Sequence, residues 1–163
     1  MSEILSILKQ TNRPAVLPTS ALGTRGERLA AQFLKTQGYR LVLSNFKVPV
    51  GRNRRGAAVT GEIDIVALDG ETLCFVEVKT RASDEFASPL ATVTRRKQRQ
   101  IIRTAKVYRR IFEITRMNHR YDVVTVVLDP DAGPRLDLLK GVWSESNFRK
   151  KVWTGDASWN ARF

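Results

Sequence analysis

Several residue types that usually announce a chemistry are nearly missing from this chain. There is one cysteine, Cys74, and one histidine, His119, in 163 residues. A lone thiol excludes an internal disulfide, and one thiol with one histidine excludes a Cys/His zinc cluster within a single copy. His119, near a turn, reads as an ordinary surface residue. No apolar run approaches the ~18 residues of a membrane span, and the start lacks a basic segment followed by an apolar core. A cytoplasmic protein without a membrane partner is expected. Acid is scarce too: 28 Lys plus Arg stand against 16 Asp plus Glu, a net charge of +12. That excess favours a polyanionic partner, nucleic acid first.

What is present centres on residues Gly61 to Arg81, GEIDIVALDGETLCFVEVKTR, where charged residues interrupt two runs of Ile, Val, Leu and Phe. Asp69-Gly70 between the runs signals a tight hairpin, because such turns need positive φ. With Asp69 and Gly70 as the turn, Glu62 lies opposite Glu77 and Asp64 opposite Phe75. Alternation then gathers Glu62, Asp64, Val66, Leu73, Phe75, Glu77 and Lys79 on one face, and Ile63, Ile65, Cys74, Val76 and Val78 on the other. Asp64 and Glu77 become diagonal neighbours, roughly 7–8 Å apart at Cα, able to share one cation. Both faces carry large apolar residues, so the strands are expected to be covered on both sides, where unpaired charge is costly. The plain alternative is a solvated face on which Glu77 and Lys79 simply pair.

Upstream, Met1 to Leu22 reads as a loosely attached arm broken by Pro14 and Pro18. Thr24-Arg-Gly-Glu27 fits a capping box opening a helix from Arg25 to Gln37, stopped by Gly38. Glu27 could therefore cap the backbone, or, on the stripe with Ala30 and Leu34, point at the hairpin's carboxylates; the residues alone leave this open. Tyr39 to Lys47 is a strand, and Val48 to Thr60 a loop holding Arg52, Arg54 and Arg55, either solvated or gripping phosphate. Beyond the hairpin, Ala82 to Leu90 reads as a loop. A helix then runs from Val93 to Phe112, with the apolar stripe Ile101, Ala105, Tyr108 and Phe112. Eight basic residues and no acid occupy positions 95 to 110, and such mutual repulsion points to a partner, with a solvated basic face the alternative. Tyr121 to Leu128 is a buried strand, and Arg135 to Leu139 a short edge strand after a turn. Trp143, Trp153 and Trp159 in the tail could pack on the body, form a homodimer contact or stack on bases, with packing the default.

The order of elements, with D-x12-E-x-K across the hairpin, resembles the PD-(D/E)xK superfamily of metal-dependent nucleases. More specific is the set Gly26-Glu27, Ala30, Gly38-Tyr39, Asn45, GEIDIVA (61 to 67), FVEVKTR (75 to 81), Lys97, Ala105, Tyr108 and RYDVV (120 to 124). It resembles the bacterial YraN family, which is similar in its core to archaeal Holliday-junction resolvases. The resemblance implies an α/β fold with a restriction-endonuclease-like αβββαβ core, a mixed central sheet flanked by helices. It implies Asp64 and Glu77 as ligands of Mg2+ (or Mn2+), with the carbonyl of Val78, Lys79 as the catalytic lysine, and Glu27 as an extra acid from the first helix. Ile63 stands where the motif's name has proline.

The expected organisation is an arm over 1–22, an endonuclease-like domain over 23–139 and a tail over 140–163. The expected function is phosphodiester hydrolysis in DNA, branched or structured DNA included, with DNA ahead of RNA as partner. The expected binding surface is Arg52, Arg54, Arg55, Arg81, Arg95, Arg96, Lys97 and Arg99. The alternative is a nucleic-acid-binding protein that keeps the nuclease fold without turnover.

Overall fold

The computed structural model describes residues 19–82 and 93–148. The arm up to residue 18, nearly all of the Ala82 to Leu90 loop, and Trp153 and Trp159 lie outside the described residues.

The first helix, α1, spans Thr19–Thr36. It begins earlier than the capping box implies: Thr24 is inside it, its hydroxyl donating to the Ser20 carbonyl at 3.1 Å. The reason is the apolar stripe, which extends back to Leu22, packed with Leu29, Ala30, Phe33 and Leu34 against the sheet. Glu27 is thereby relieved of any capping role. The helix stops at Gly38, whose φ of 85° supports a Schellman-type end with Tyr39 N–H donating to the Leu34 carbonyl at 3.0 Å.

Five strands follow in one mixed sheet ordered β1-β2-β3-β4-β5. They are β1 Arg40–Arg52, β2 Ala58–Asp69, β3 Thr72–Arg81, β4 His119–Asp129 and β5 Gly133–Trp143. The second helix, α2, spans Arg95–Ile111 with Thr94 as N-cap, and a short 3-10 turn, Glu145–Phe148, closes the described chain. Strands β3 and β4 are parallel and joined through α2; the other neighbours are antiparallel. This is the expected restriction-endonuclease-like core with a fifth strand added. That strand is longer than the short edge expected, because it continues past Leu139 to stack Trp143 on Tyr121 at 5.5 Å between ring centroids.

The sheet is covered on both faces. Ala30, Leu34 and Tyr39 pack with Ile65, Ala67, Cys74, Val76, Val78, Val124 and Val126 on one face. Ile101, Ile102, Ala105 and Tyr108 of α2 pack with Val66, Phe75, Tyr121 and Val123 on the other. Phe112, expected on the buried stripe, is the C-cap and stays 49% exposed.

Two expectations are corrected. The segment from Val48 to Thr60 is not a loop: β1 and β2 continue as an antiparallel ribbon, with Val48 beside Gly61 and Arg52 beside Ala58. Pro49 is tolerated because β1 is an edge strand, the place in a sheet where proline is accepted. The hairpin register also differs by two residues. Asp69 pairs with Thr72 and Leu68 with Leu73, so the turn is Gly70-Glu71, with Gly70 at φ 59°. Asp69 stays in the strand because its carboxylate binds Arg120 at 2.7 Å and Lys140 at 2.9 Å.

Candidate functional site

An even register shift by itself changes no side chain's face, but it moves Asp64 from a diagonal position to one level with Glu77. The ladder between β2 and β3 ends at Ile65 and Val76. Beyond that point the Asp64 carboxylate itself accepts the Val78 N–H at 2.7 Å. A carboxylate bonded to the backbone of the neighbouring strand lies in the seam between the strands, on neither face. Alternation consequently breaks there. Ile65 packs against α1 whereas Ile63 packs with Val66 and Phe75 on the α2 face, so Ile63 is not on the face that strict alternation assigns it. Opposite this point in β1, Asn45 has φ 55°, a conformation Asn tolerates better than most residues.

Glu77 is 2% exposed, and two ammonium groups hold it. Lys79 Nζ lies 2.7 Å and Lys97 Nζ 3.2 Å from the same oxygen, Oε1. The second oxygen, Oε2, is buried without a hydrogen-bond partner. Of the three side-chain atoms in that condition among the described residues, it is the one acceptor; the others are Arg109 Nε and Trp143 Nε1. An unsatisfied carboxylate oxygen in a dry place costs free energy unless something positive meets it.

Burial, and next the charge of Glu77, push the Asp64 carboxyl up to about 7. The Val78 N–H and Lys97 act in the opposite direction, and Glu27 raises it further. Two crowded carboxylates whose repulsion is only partly relieved form a place where a divalent cation would be stabilised.

Glu27 reaches this region from the α1 side. It lines an open cavity of about 310 Å3 with Thr24, Arg28, Ala31, Ser44, Asn45, Asp64 and Ile65. The helix can come this close because Gly26 has no side chain: a Cβ there would lie 1.7 Å from the Thr80 hydroxyl oxygen. Among the described residues, however, no three His, Cys, Asp or Glu side chains converge as a ligand set. Glu27 shares the cavity with Asp64 without joining the Asp64 and Glu77 pair. Of the three residues expected on one face of the hairpin, Glu77 and Lys79 lie on the α2 side and Asp64 in the seam, while Glu27 comes from the α1 side. A larger cavity of about 500 Å3 along α1, lined by Ser20, Ala21, Thr24, Arg25 and Arg28, holds no carboxylate among the described residues.

The residues present fit Mg2+. That ion is usually held by one or two carboxylates and keeps several waters and phosphate oxygens, so a two-acid site with an unsatisfied oxygen suffices. Asp64 and Glu77 would hold it, with the Val78 carbonyl the third ligand in the expected set.

The basic surface is uneven. Arg52, Arg54, Arg55 and Arg96 are exposed, whereas Lys97 is turned inward to Glu77. Arg95 and Arg99 place their guanidinium groups 5.4 and 5.5 Å from the centre of the Phe148 ring, and Arg95 donates to the Asn147 carbonyl at 3.3 Å. Arg81, at the end of β3, is half-buried.

Sequence reasoning missed two polar clusters. His119 is not a plain surface residue; its Nε2 lies 3.2 Å from Glu145 Oε1 and 3.3 Å from Arg109 Nη1. Glu145 also accepts from Tyr121 at 3.0 Å and pairs with Lys106 at 3.0 Å. The other cluster centres on Asp122, fully buried, which accepts from Arg120 Nε at 2.8 Å, from Tyr39 at 3.1 Å and from Gly141 N–H at 2.8 Å. The charged pair in RYDVV, set inside an apolar strand, was the available signal.

The profile of the family described as "Uncharacterised protein family UPF0102" matches residues 26–126. A UPF0102 protein of Chlorobium limicola is 43% identical over 109 residues, covering 67% of this chain and 77% of the relative. One from Geobacter sulfurreducens is 44% identical over 117 residues, 71% and 83% of the two chains. One from Paenarthrobacter aurescens is 39% identical over 121 residues, 74% and 92%. The matched span holds the first acid, the hairpin, the basic helix and the buried Asp122 strand, and the chain belongs to the UPF0102 (YraN) family.

Proposed function

We propose that the protein is a metal-dependent nuclease that hydrolyses phosphodiester bonds in DNA, branched or structured DNA included. The observation that carries this reading is Glu77: a buried carboxylate with one oxygen held by Lys79 and Lys97 and the other left without a partner, level with a second acid, Asp64. An unsatisfied oxygen beside a second acid is what a cation would complete.

A bound Mg2+ would neutralise phosphate charge and lower the pKa of the attacking water. Everything else falls to the chain's own groups. Asp64 and Glu77 supply the ligand oxygens. Each ammonium has three donors and one of them meets Glu77; Lys79 and Lys97, both about one-third exposed, can direct the others at a water and at a phosphate oxygen. Stabilisation of charge that grows on the phosphorane is the role such preorganised donors fill best. Glu27, across the cavity from Asp64, can orient the water. The positive surface supplies sequence-independent affinity for the backbone.

A binding protein without turnover is the second reading, favoured by the lack of a third ligand side chain among the described residues. A panel of duplex, flap, four-way and single-stranded substrates with Mg2+ or Mn2+ separates the two. Cleavage by the wild type that disappears in an identically purified Glu77→Ala variant supports the nuclease. Equal cleavage by both proteins, or none by either with either metal, overturns it.

A further inference from the structure

We infer that the ribbon formed by residues 47–62 is a rigid arm that enters the major groove of duplex nucleic acid. The inference rests on the nucleic-acid reading above and names the form of the partner, duplex ahead of single strand.

The ribbon is built to project. Its strands pair as Lys47 with Glu62, Val48 with Gly61, Pro49 with Thr60, Gly51 with Val59 and Arg52 with Ala58. Residues 51 to 58 are all exposed, so its end packs on nothing. An isolated two-stranded ribbon is marginal in water, and two devices hold this one. At the tip, Asn53 Oδ1 accepts the N–H groups of Arg55 at 2.9 Å and Ala57 at 3.0 Å, and Arg52 donates to the Gly56 carbonyl at 2.7 Å. At the root, Gln100 of α2 donates to the Thr60 carbonyl at 2.8 Å. Gly61 lies so close to Thr104 and Val50 that a Cβ there would sit 2.0 Å from the Thr104 hydroxyl oxygen.

The charge is one-sided. From Val48 to Gly61 there are three arginines and no acid, and the nearest acid, Glu62, is bridged to Lys47 at 3.1 Å. A stiff ribbon with cationic tips matches a major groove, which admits a two-stranded β-ribbon and is walled by phosphates. At about 3.3 Å per residue, the last rung, Arg52 beside Ala58, stands roughly 20 Å along the strand from Asp64, with the tip beyond it. Arg54 and Arg55 thus lie too far away to act on a phosphate held at the seam, and their contribution should appear in binding.

The test is fluorescence anisotropy of the full chain in EDTA across a salt series, on a duplex and on one of its strands alone. Two variants are compared with wild type, Arg54→Gln/Arg55→Gln and Asn53→Ala. Both change exposed positions, and thermal melting confirms folding. The double variant is expected to lower the salt slope on duplex by about two units and to change single-strand binding much less. Asn53→Ala, which leaves the charge intact, should weaken duplex binding several-fold and leave the single strand unaffected. Equal losses on duplex and single strand, or none on either, overturn the arm while leaving the nucleic-acid reading standing. A wild type that binds neither probe overturns both.

Discussion

The carboxylate of Asp64 takes the backbone N–H of Val78 at 2.7 Å, a place that a carbonyl of β2 would fill had the ladder continued. Ladder and site are therefore alternatives at this point, and the end of the pairing is what frees an acid to sit between the strands. In metal-free buffer this has a cost that can be measured. An acid whose folded pKa is raised favours folding while protonated; that contribution is complete below its ordinary 3.8 and is lost as pH climbs through about 7. Asp64→Asn keeps an oxygen for Val78 and carries no charge. In EDTA it should melt above wild type at pH 8, and the difference should vanish near pH 4. A difference in melting temperature independent of pH would show that Asp64 does not titrate as argued.

Divalent metal should narrow that difference. A ligand that binds only the folded state stabilises it by about 2.7 kcal/mol at one hundred times its dissociation constant. Millimolar Mg2+ should raise the melting temperature of wild type, and much less that of Asp64→Asn or Glu77→Gln. Equal shifts in all three would place the ion elsewhere.

The contact between Gly26 and Thr80 sets how near Glu27 comes. Gly26→Ala drives a methyl group into Thr80, and overpacking of this kind costs about 1–3 kcal/mol. Thr80→Gly should recover part of that loss in the double variant, because it removes the three atoms nearest the new methyl. A fully stable Gly26→Ala protein would mean that α1 can shift outward at little cost.

Legibility in the sequence followed the kind of physics involved. Strands and helices were readable because apolar spacing reports burial, as for Ala30 and Leu34 on α1 or Val123 to Val126 in β4. The turn was misplaced because Asp-Gly is a local signal, while Asp69 is held in its strand by Arg120 and Lys140 from 51 and 71 residues away. Period-two alternation put Ile63 beside Ile65, and only the positive φ at Asn45 and the Asp64 bond to Val78 reveal the break. The second lysine on Glu77 was out of reach for the same reason: Lys97 was visible as one charge in a basic helix, and its direction depends on how α2 packs.

Asp122 gives a prediction about stability alone. It is buried and accepts from Arg120, Tyr39 and Gly141, and burial raises the Tyr39 hydroxyl's pKa well above its ordinary value. Removing one partner of a buried pair costs about 3–5 kcal/mol. Asp122→Ala should be severely destabilised and Tyr39→Phe less so, since a hydrogen bond to a charged group contributes about 1.5–3 kcal/mol. Chemical denaturation measures both, and two similar losses would show that the pair is not the strong element of this network.

The last prediction separates catalysis from binding by using the two lysines against a surface arginine. Lys79→Ala and Lys97→Ala each leave one ammonium on Glu77 Oε1, so the fold and the acids survive. If the freed donors meet charge that develops only during reaction, each variant keeps its affinity for DNA and loses turnover, by about 10²–10³-fold for a donor of this kind. Arg96, exposed on α2, should behave in the opposite way. Arg96→Glu should weaken binding and flatten the salt dependence, while turnover at saturating DNA stays near that of wild type. The lysine double variant adds a stability test, because Glu77 is then buried without any cation. Its destabilisation should exceed the sum of the single losses, as expected for residues sharing one partner. Lysine variants that lose affinity in step with activity would make Lys79 and Lys97 binding residues, and the case for chemistry at Glu77 would fall.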